Sequence, residues 1–212
     1  MHIPDGFLNI ATVATTYAVS VGGVGNAVRI ANKKLGEKQV PLMGVLAAFI
    51  FAAQMLNFPI AGGTSGHLIG AALAAILLGP WAAVLIMSCV LIAQCLIFQD
   101  GGLLALGANI FNMGIVASFS GYYLYRLVSW LLGNDRRGKL VGGAIGAWGS
   151  VFLASIVCAI ELAVSGASPI RVVLPAMAGF HALIGIGEGL ITGAVLSLVL
   201  ATRADLLQLQ RI

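Results

Sequence analysis

GGTSGHLIGAALAAILLGP, running from Gly62 to Pro80, decides how this chain is read. Its apolar part, His67 to Gly79, is too short to cross a bilayer, which takes about 20 residues of helix. The turn Gly62-Gly63-Thr64-Ser65-Gly66 precedes it, and Gly79-Pro80 closes it. Backbone that leaves helical form at membrane depth survives only where protein covers it or water fills a cavity. The turn is therefore expected to dip into a membrane domain, carrying His67 at the start of a half-length helix.

The rest of the chain supplies that domain. Of 212 residues, 60% are hydrophobic and 8% charged, against roughly a quarter charged in a soluble domain. Mean hydropathy is +1.04. A soluble two-domain protein is excluded. The 28 glycines suit helices that approach closely, with small-residue contacts expected at Ala14, Ala18 and Gly22 and at Gly185, Gly189 and Gly193. Cys89, Cys95 and Cys158 form no CxxC pair and read as lone buried thiols. Apolar runs place helices at roughly 9–31, 41–57, 67–79, 81–98, 104–132, 140–163 and 177–201. The fold class is thus an all-α integral membrane protein with about seven transmembrane helices, one domain over 1–212.

Charge sets the expected orientation. Arg29, Lys33, Lys34 and Lys38 follow the first helix, Arg126, Arg136, Arg137 and Lys139 the fifth, and Arg203 and Arg211 the last. With those ends cytoplasmic only Arg171 falls outside, so the amino terminus is outside and the carboxyl terminus cytoplasmic. The net charge of +4 is then topology. It calls for no nucleic-acid partner.

The chain opens Met1-His2-Ile3-Pro4-Asp5-Gly6. With no basic region ahead of the first apolar run, this opening is read as a retained start without a leader. A free amine followed by His is a chelator. The Met1 amine, the deprotonated His2 amide and His2 Nδ1 close fused five- and six-membered rings around one ion, nearly in a plane. His67, on the same expected face, can complete the square. Planar nitrogen ligation suits Ni²⁺ and Cu²⁺, whereas Zn²⁺ prefers a tetrahedron and Mg²⁺ and Ca²⁺ prefer oxygen. Bulky His2 favours retention of Met1, provided its formyl group is removed.

Few other ionisable groups need a purpose. His181 is a ligand, a hydrogen-bonding partner of a ligand, or a packing residue, and the middle role ranks first. Asp100, Asn109 and Asn112 are candidates to orient the imidazoles or the N-terminal segment, with a solvated Asp100 as the alternative. Glu188 shares a helix face with His181 and pairs with another helix, lines an exit or is structural. Glu161 and Arg171 are expected to snorkel at helix ends.

The opening Met1 to Leu8, the turn Asn57-Phe58-Pro59-Ile60 through Gly63-Thr64-Ser65-Gly66-His67-Leu68, the stretch Gln99-Asp100-Gly101-Gly102 to Gly107-Ala108-Asn109, and Gly185-Ile186-Gly187-Glu188-Gly189 together resemble the CbiM/NikM family. Its members are substrate-capture components of energy-coupling-factor transporters for nickel and cobalt. The resemblance runs end to end. It implies a seven-helix prokaryotic inner-membrane protein whose N-terminal loop, residues 1–8, is tucked into the bundle. It also implies a metal held by the Met1 amine, the His2 amide and ring, and the His67 ring. The implied partners are a transmembrane coupling protein, a pair of cytoplasmic ATPases and a small accessory membrane subunit. The implied purpose is cobalamin synthesis or supply of nickel enzymes. No enzyme activity and no resident cofactor are expected, since the metal is cargo and no Walker A motif occurs.

Two other readings stand beside it. Gly63-Thr64-Ser65-Gly66 spells GxSG, and with His181 it resembles the Ser–His dyad of rhomboid intramembrane proteases, Ser65 being the nucleophile. In the capture reading Ser65 instead supports the metal site. A secondary metal permease would need several carboxylates along one path and often a repeat, and membrane carboxylates are few here.

Overall fold

The computed structural model describes residues 1–34, 36 and 39–209. Lys38 and Arg211, part of the charge argument above, lie outside the described residues. The elements are α1 (Ile10–Lys34), α2 (Gln39–Gln54), α3 (Ala71–Leu78), α4 (Pro80–Phe98), α5 (Leu106–Asn109), α6 (Ala117–Leu131), α7 (Arg136–Val164) and α8 (Ile170–Thr202). A π-helical segment, Ile110–Val116, joins α5 to α6 as one continuous rod. The described residues thus build seven helical rods, followed by a short 3₁₀ helix, Ala204–Leu209.

Three helices, α4, α7 and α8, are long and apolar enough to cross a membrane by composition alone. The 25-residue α1 misses that mark because Thr, Ser and Asn dilute it. Two of its hydroxyls back-bond within the helix, Thr15 Oγ1 donating to Ala11 O and Thr16 Oγ1 to Thr12 O, both at 2.8 Å, while Ser20 Oγ donates across to Gly107 O at 2.7 Å. Paired hydroxyls of this kind cost little at membrane depth.

The half-length helix is real but shorter than expected. α3 has eight residues, roughly 12 Å of rise, and every one is buried. It packs against α2, α4, α6 and α7. His67 does not start it. Residues 67–70 are non-helical, and Gly70 turns the chain at φ +79° before α3 begins. A carboxylate fixes this entry: Glu188 on α8 accepts from Ile69 N at 2.6 Å and Gly70 N at 2.8 Å. Glu188 therefore supplies partners for donors that no helical carbonyl reaches. Gln54 Nε2 donates to Ile69 O at 2.7 Å. Glu188→Ala strands two buried N–H groups and is expected to destabilise the fold by about 2–4 kcal/mol, read as a lower thermal midpoint in detergent.

Other expectations change. Ala14, Ala18 and Gly22 lie on an exposed face of α1, with nothing near Gly22. Gly185 and Gly189 do meet α7, at Trp148 and the Ala144 carbonyl. Glu161 does not snorkel; it is buried and accepts from Asn112 Nδ2 at 2.6 Å, because the π segment turns Asn112 toward α7. α8 starts at Ile170 and carries Pro175 inside it, so Pro175 does not delimit the helix. The bond Pro175 removes belongs to the exposed first turn, where its loss is cheapest. Cys158 is buried, Cys95 half-buried and Cys89 exposed.

Candidate metal centre

The N-terminal segment enters the bundle without regular secondary structure. Met1, His2 and Ile3 are buried, and exposure begins at Pro4. Buried main chain needs partners for every N–H and C=O, and Asn109 on α5 supplies them. Its Oδ1 accepts from Ile3 N at 2.8 Å, and its Nδ2 donates to Ile3 O at 3.2 Å. Gly102 N also donates to Ile3 O, at 2.9 Å. Asp5 completes the clamp, accepting from Leu104 N at 2.7 Å and Leu103 N at 3.1 Å just ahead of α5. The segment passes so close that a Cβ at Gly102 would overlap Asp5 N and its carboxylate. Only glycine fits there.

The inward turn meets it from the other side. Phe58–Pro59 and Ser65–Gly66 pair antiparallel as a two-residue hairpin. That pairing presents Ser65: the Met1 amine donates to Ser65 O and, at 2.9 Å, to Ser65 Oγ, and the His2 amide donates to the same Oγ at 3.1 Å. Next along the turn, the His67 ring stacks on the His2 ring with centroids 4.6 Å apart and planes 23° off parallel. The stacking brings the two imidazoles together beside the Met1 amine.

Hydrogen bonding fixes which ring nitrogens are bare. His2 Nε2 lies 3.0 Å from Gln94 Oε1, and His67 Nδ1 lies 2.7 Å from Leu68 O. Both oxygens only accept, so those nitrogens carry the protons. That leaves His2 Nδ1 and His67 Nε2 as lone pairs, and neither finds a hydrogen-bond partner although both are buried. His2 Nδ1 is 3.3 Å from Asp100 Oδ1, a distance short enough for an ion pair, yet it makes no hydrogen bond to that oxygen. We therefore take it as an approach of two acceptors. Asp100 Oδ2 is held by Asn57 Nδ2 at 2.9 Å.

Burial keeps these nitrogens neutral. It pushes the Met1 amine down from 8.0 to about 5, with the neighbouring Cys158 and Asp100 opposing. It pushes His2 down to about 3, helped by the nearby amine charge and opposed by Gln94. His67 falls well below its ordinary value for the same cause, with the amine, His2 and His181 adding repulsion. Asp100 is raised by burial, against the pull of the amine and Asn57. Neutral nitrogens with bare lone pairs are what a metal requires.

The structure thus gathers Met1, His2, Ser65, His67, Asp100 and Asn109. His181 is buried and electrostatically close to His67, but its Nδ1 donates to Met177 O at 2.8 Å and its Nε2 has no partner among the described residues. It makes no bond to Ser65, so the Ser–His dyad is not formed. No group of three or more His, Cys, Asp or Glu side chains placed to hold a metal ion occurs among the described residues. Gln94, Gln54 and Asn57 were missed by sequence reasoning. A buried glutamine inside the apolar run Pro80–Phe98 was the available signal.

Residues 2–206 match the CbiM family, described as the cobalt uptake substrate-specific transmembrane region. The chain belongs to the CbiM family. A protein of Archaeoglobus fulgidus, provisionally named a fused nickel transport protein, NikMN, is 44% identical over 98% of this chain and 68% of its own length. One of Haloquadratum walsbyi, provisionally named a metal transport protein, is 43% identical over 97% of this chain and 93% of its own. A crystal structure of a truncated transition metal transporter superposes with TM-score 0.90 at 40% identity, covering 95% of this chain and 99% of that one. This CbiM-family chain is a multi-pass membrane protein and a nickel/cobalt transport component. Its relatives are named for transport, not catalysis.

Proposed function

We propose that this protein captures Ni²⁺ or Co²⁺ in a planar site of four nitrogens: the Met1 amine, the His2 amide, His2 Nδ1 and His67 Nε2. One observation carries the reading. His2 Nδ1 and His67 Nε2 are the bare, buried, unpartnered nitrogens of two stacked rings, beside the buried amine. Two buried lone pairs with no protein partner, beside a buried neutral amine, are suited to a cation. Ser65 Oγ contacts both main-chain nitrogens, and once the amide proton has left, its hydroxyl can turn to donate to the resulting anion. Gln94, Leu68 O and Asn109 hold the ligands in place.

The proposed setting is a single membrane domain over 1–212, with residues 1–8 as the chelating loop. The Met1 end faces outward and the basic ends of α1 and α6 face the cytoplasm. Delivery inward is driven by a coupling membrane protein and a pair of cytoplasmic ATPases, with a small accessory membrane subunit, as in energy-coupling-factor importers. Support comes from family membership and from the want of any nucleotide-binding motif in the chain.

Titrating the purified, metal-free protein with Ni²⁺ tests the site. A stoichiometric complex with the weak absorption band of a square-planar, low-spin ion is expected; an octahedral spectrum overturns the ligand set. The pH dependence is a second readout. With the amine near 5, His2 near 3 and His67 pushed well below its ordinary value by burial, these three nitrogens are unprotonated at neutral pH, and only the His2 amide proton must leave. The logarithm of the affinity should rise by about one per pH unit between about pH 6 and 9. It should fall more steeply as pH drops through about 5, where the amine also binds a proton. An affinity flat between pH 6 and 9 would remove the amide from the set.

A further inference from the structure

Resting on that planar site, we propose that Asp100 is the entry ligand: Oδ1 takes the hydrated cation at the mouth and passes it to His2 Nδ1. Three observations place it there. The first is the approach of two acceptors. His2 Nε2 spends its proton on Gln94, so Nδ1 meets the Asp100 carboxylate lone pair to lone pair at 3.3 Å. Such a contact repels until a cation sits against both atoms. A first-row divalent ion bonded to adjacent nitrogen and oxygen donors holds them roughly 3 Å apart, so one ion fits this pair.

The second is a gradient of exposure. The Asp100 side chain is 18% exposed, whereas Met1 is 0%, His2 4% and His67 1% exposed. A hydrated ion meets the carboxylate before it meets any nitrogen. The third is orientation. Asn57 Nδ2 holds Oδ2 at 2.9 Å and turns Oδ1 toward His2, while Gln99 at φ 55° and Gly101 at φ +93° bend the chain on either side of the aspartate. The division of labour follows from ligand chemistry. Oxygen donors exchange with the water of a hydrated divalent ion readily and hold it loosely, while planar nitrogens hold it firmly. A negative group at the mouth also raises the encounter rate of a cation, by 10-fold or more in favourable cases.

Stopped-flow mixing of Ni²⁺ with the full-length protein in nanodiscs, followed by the planar absorption band, separates entry from retention. Asp100→Asn keeps the shape and removes the charge. Its association rate is expected to fall about tenfold and to lose most of its salt dependence. The final spectrum should match that of the unaltered protein, the dissociation rate should not rise, and Asp100→Glu should recover much of the association rate. An association rate within twofold of the unaltered protein overturns the proposal. So does a slow rate accompanied by an altered spectrum or faster release, since Asp100 would then merely position His2. If the unaltered protein itself forms no planar complex, the four-nitrogen reading fails instead. The two failures are therefore distinct.

Discussion

Extending the chain by two residues ahead of Met1 is expected to abolish nickel capture, with affinity falling at least about a thousandfold, equivalent to roughly 4 kcal/mol. Two effects combine. The amine becomes an amide and leaves the chelate, and the added residues meet a fully buried site in which the amine already donates to both Ser65 oxygens. Two residues are needed rather than one. A single extra residue puts His third, and an amine, two amides and that imidazole would make a four-nitrogen chelate without His67. Isothermal titration with Ni²⁺ measures the loss. The helices do not depend on the amine, so the thermal midpoint of the metal-free protein should change little. Tight, stoichiometric binding by the extended protein would remove the amine from the site.

His67→Ala has the second largest expected effect. His67 is the one proposed ligand outside the N-terminal chelate, and it arrives on the hairpin turn, not on α3. Its loss leaves three nitrogens and a void beside the His2 ring, which water fills. Affinity is expected to drop about a hundredfold or more, and the planar band should shift toward weaker ligation. His181→Ala is the matching control. His181 Nε2 is also bare and buried, but its ring is held on α8 by Met177 O. The control should keep the planar spectrum. If His181→Ala loses the band and His67→Ala retains it, the fourth ligand has been misassigned.

Much of the fold could be read directly. Long apolar runs bounded by charge are helices wherever the bilayer forces backbone bonds inward, so α4, α7 and α8 follow from composition. Boundaries proved harder near Pro175 and His67, where tertiary contacts override local preference. Pro175 sits inside α8 because the bond it removes lies at an exposed end. His67 is unwound because Glu188 and Gln54 satisfy the backbone of residues 69 and 70, two partners distant in sequence. Glu161 was misjudged for a related reason. Its partner Asn112 is turned toward α7 by a π segment that no spacing rule announces.

The sequence by itself determined the membrane class, the presence of a half-length helix and the pairing of Met-His with His67 as candidate chelators. These rest on composition, segment length and residue chemistry, all of them local properties. The tertiary structure alone decided which ring nitrogens are bare, since Gln94 and the Leu68 carbonyl choose the tautomers of His2 and His67. It also decided that Asp100 faces His2 as an acceptor, and that Asn109 and Gly102 hold the segment carrying both N-terminal donors. A proton's position on an imidazole depends on the atom opposite it. In this chain that atom can lie 92 residues away.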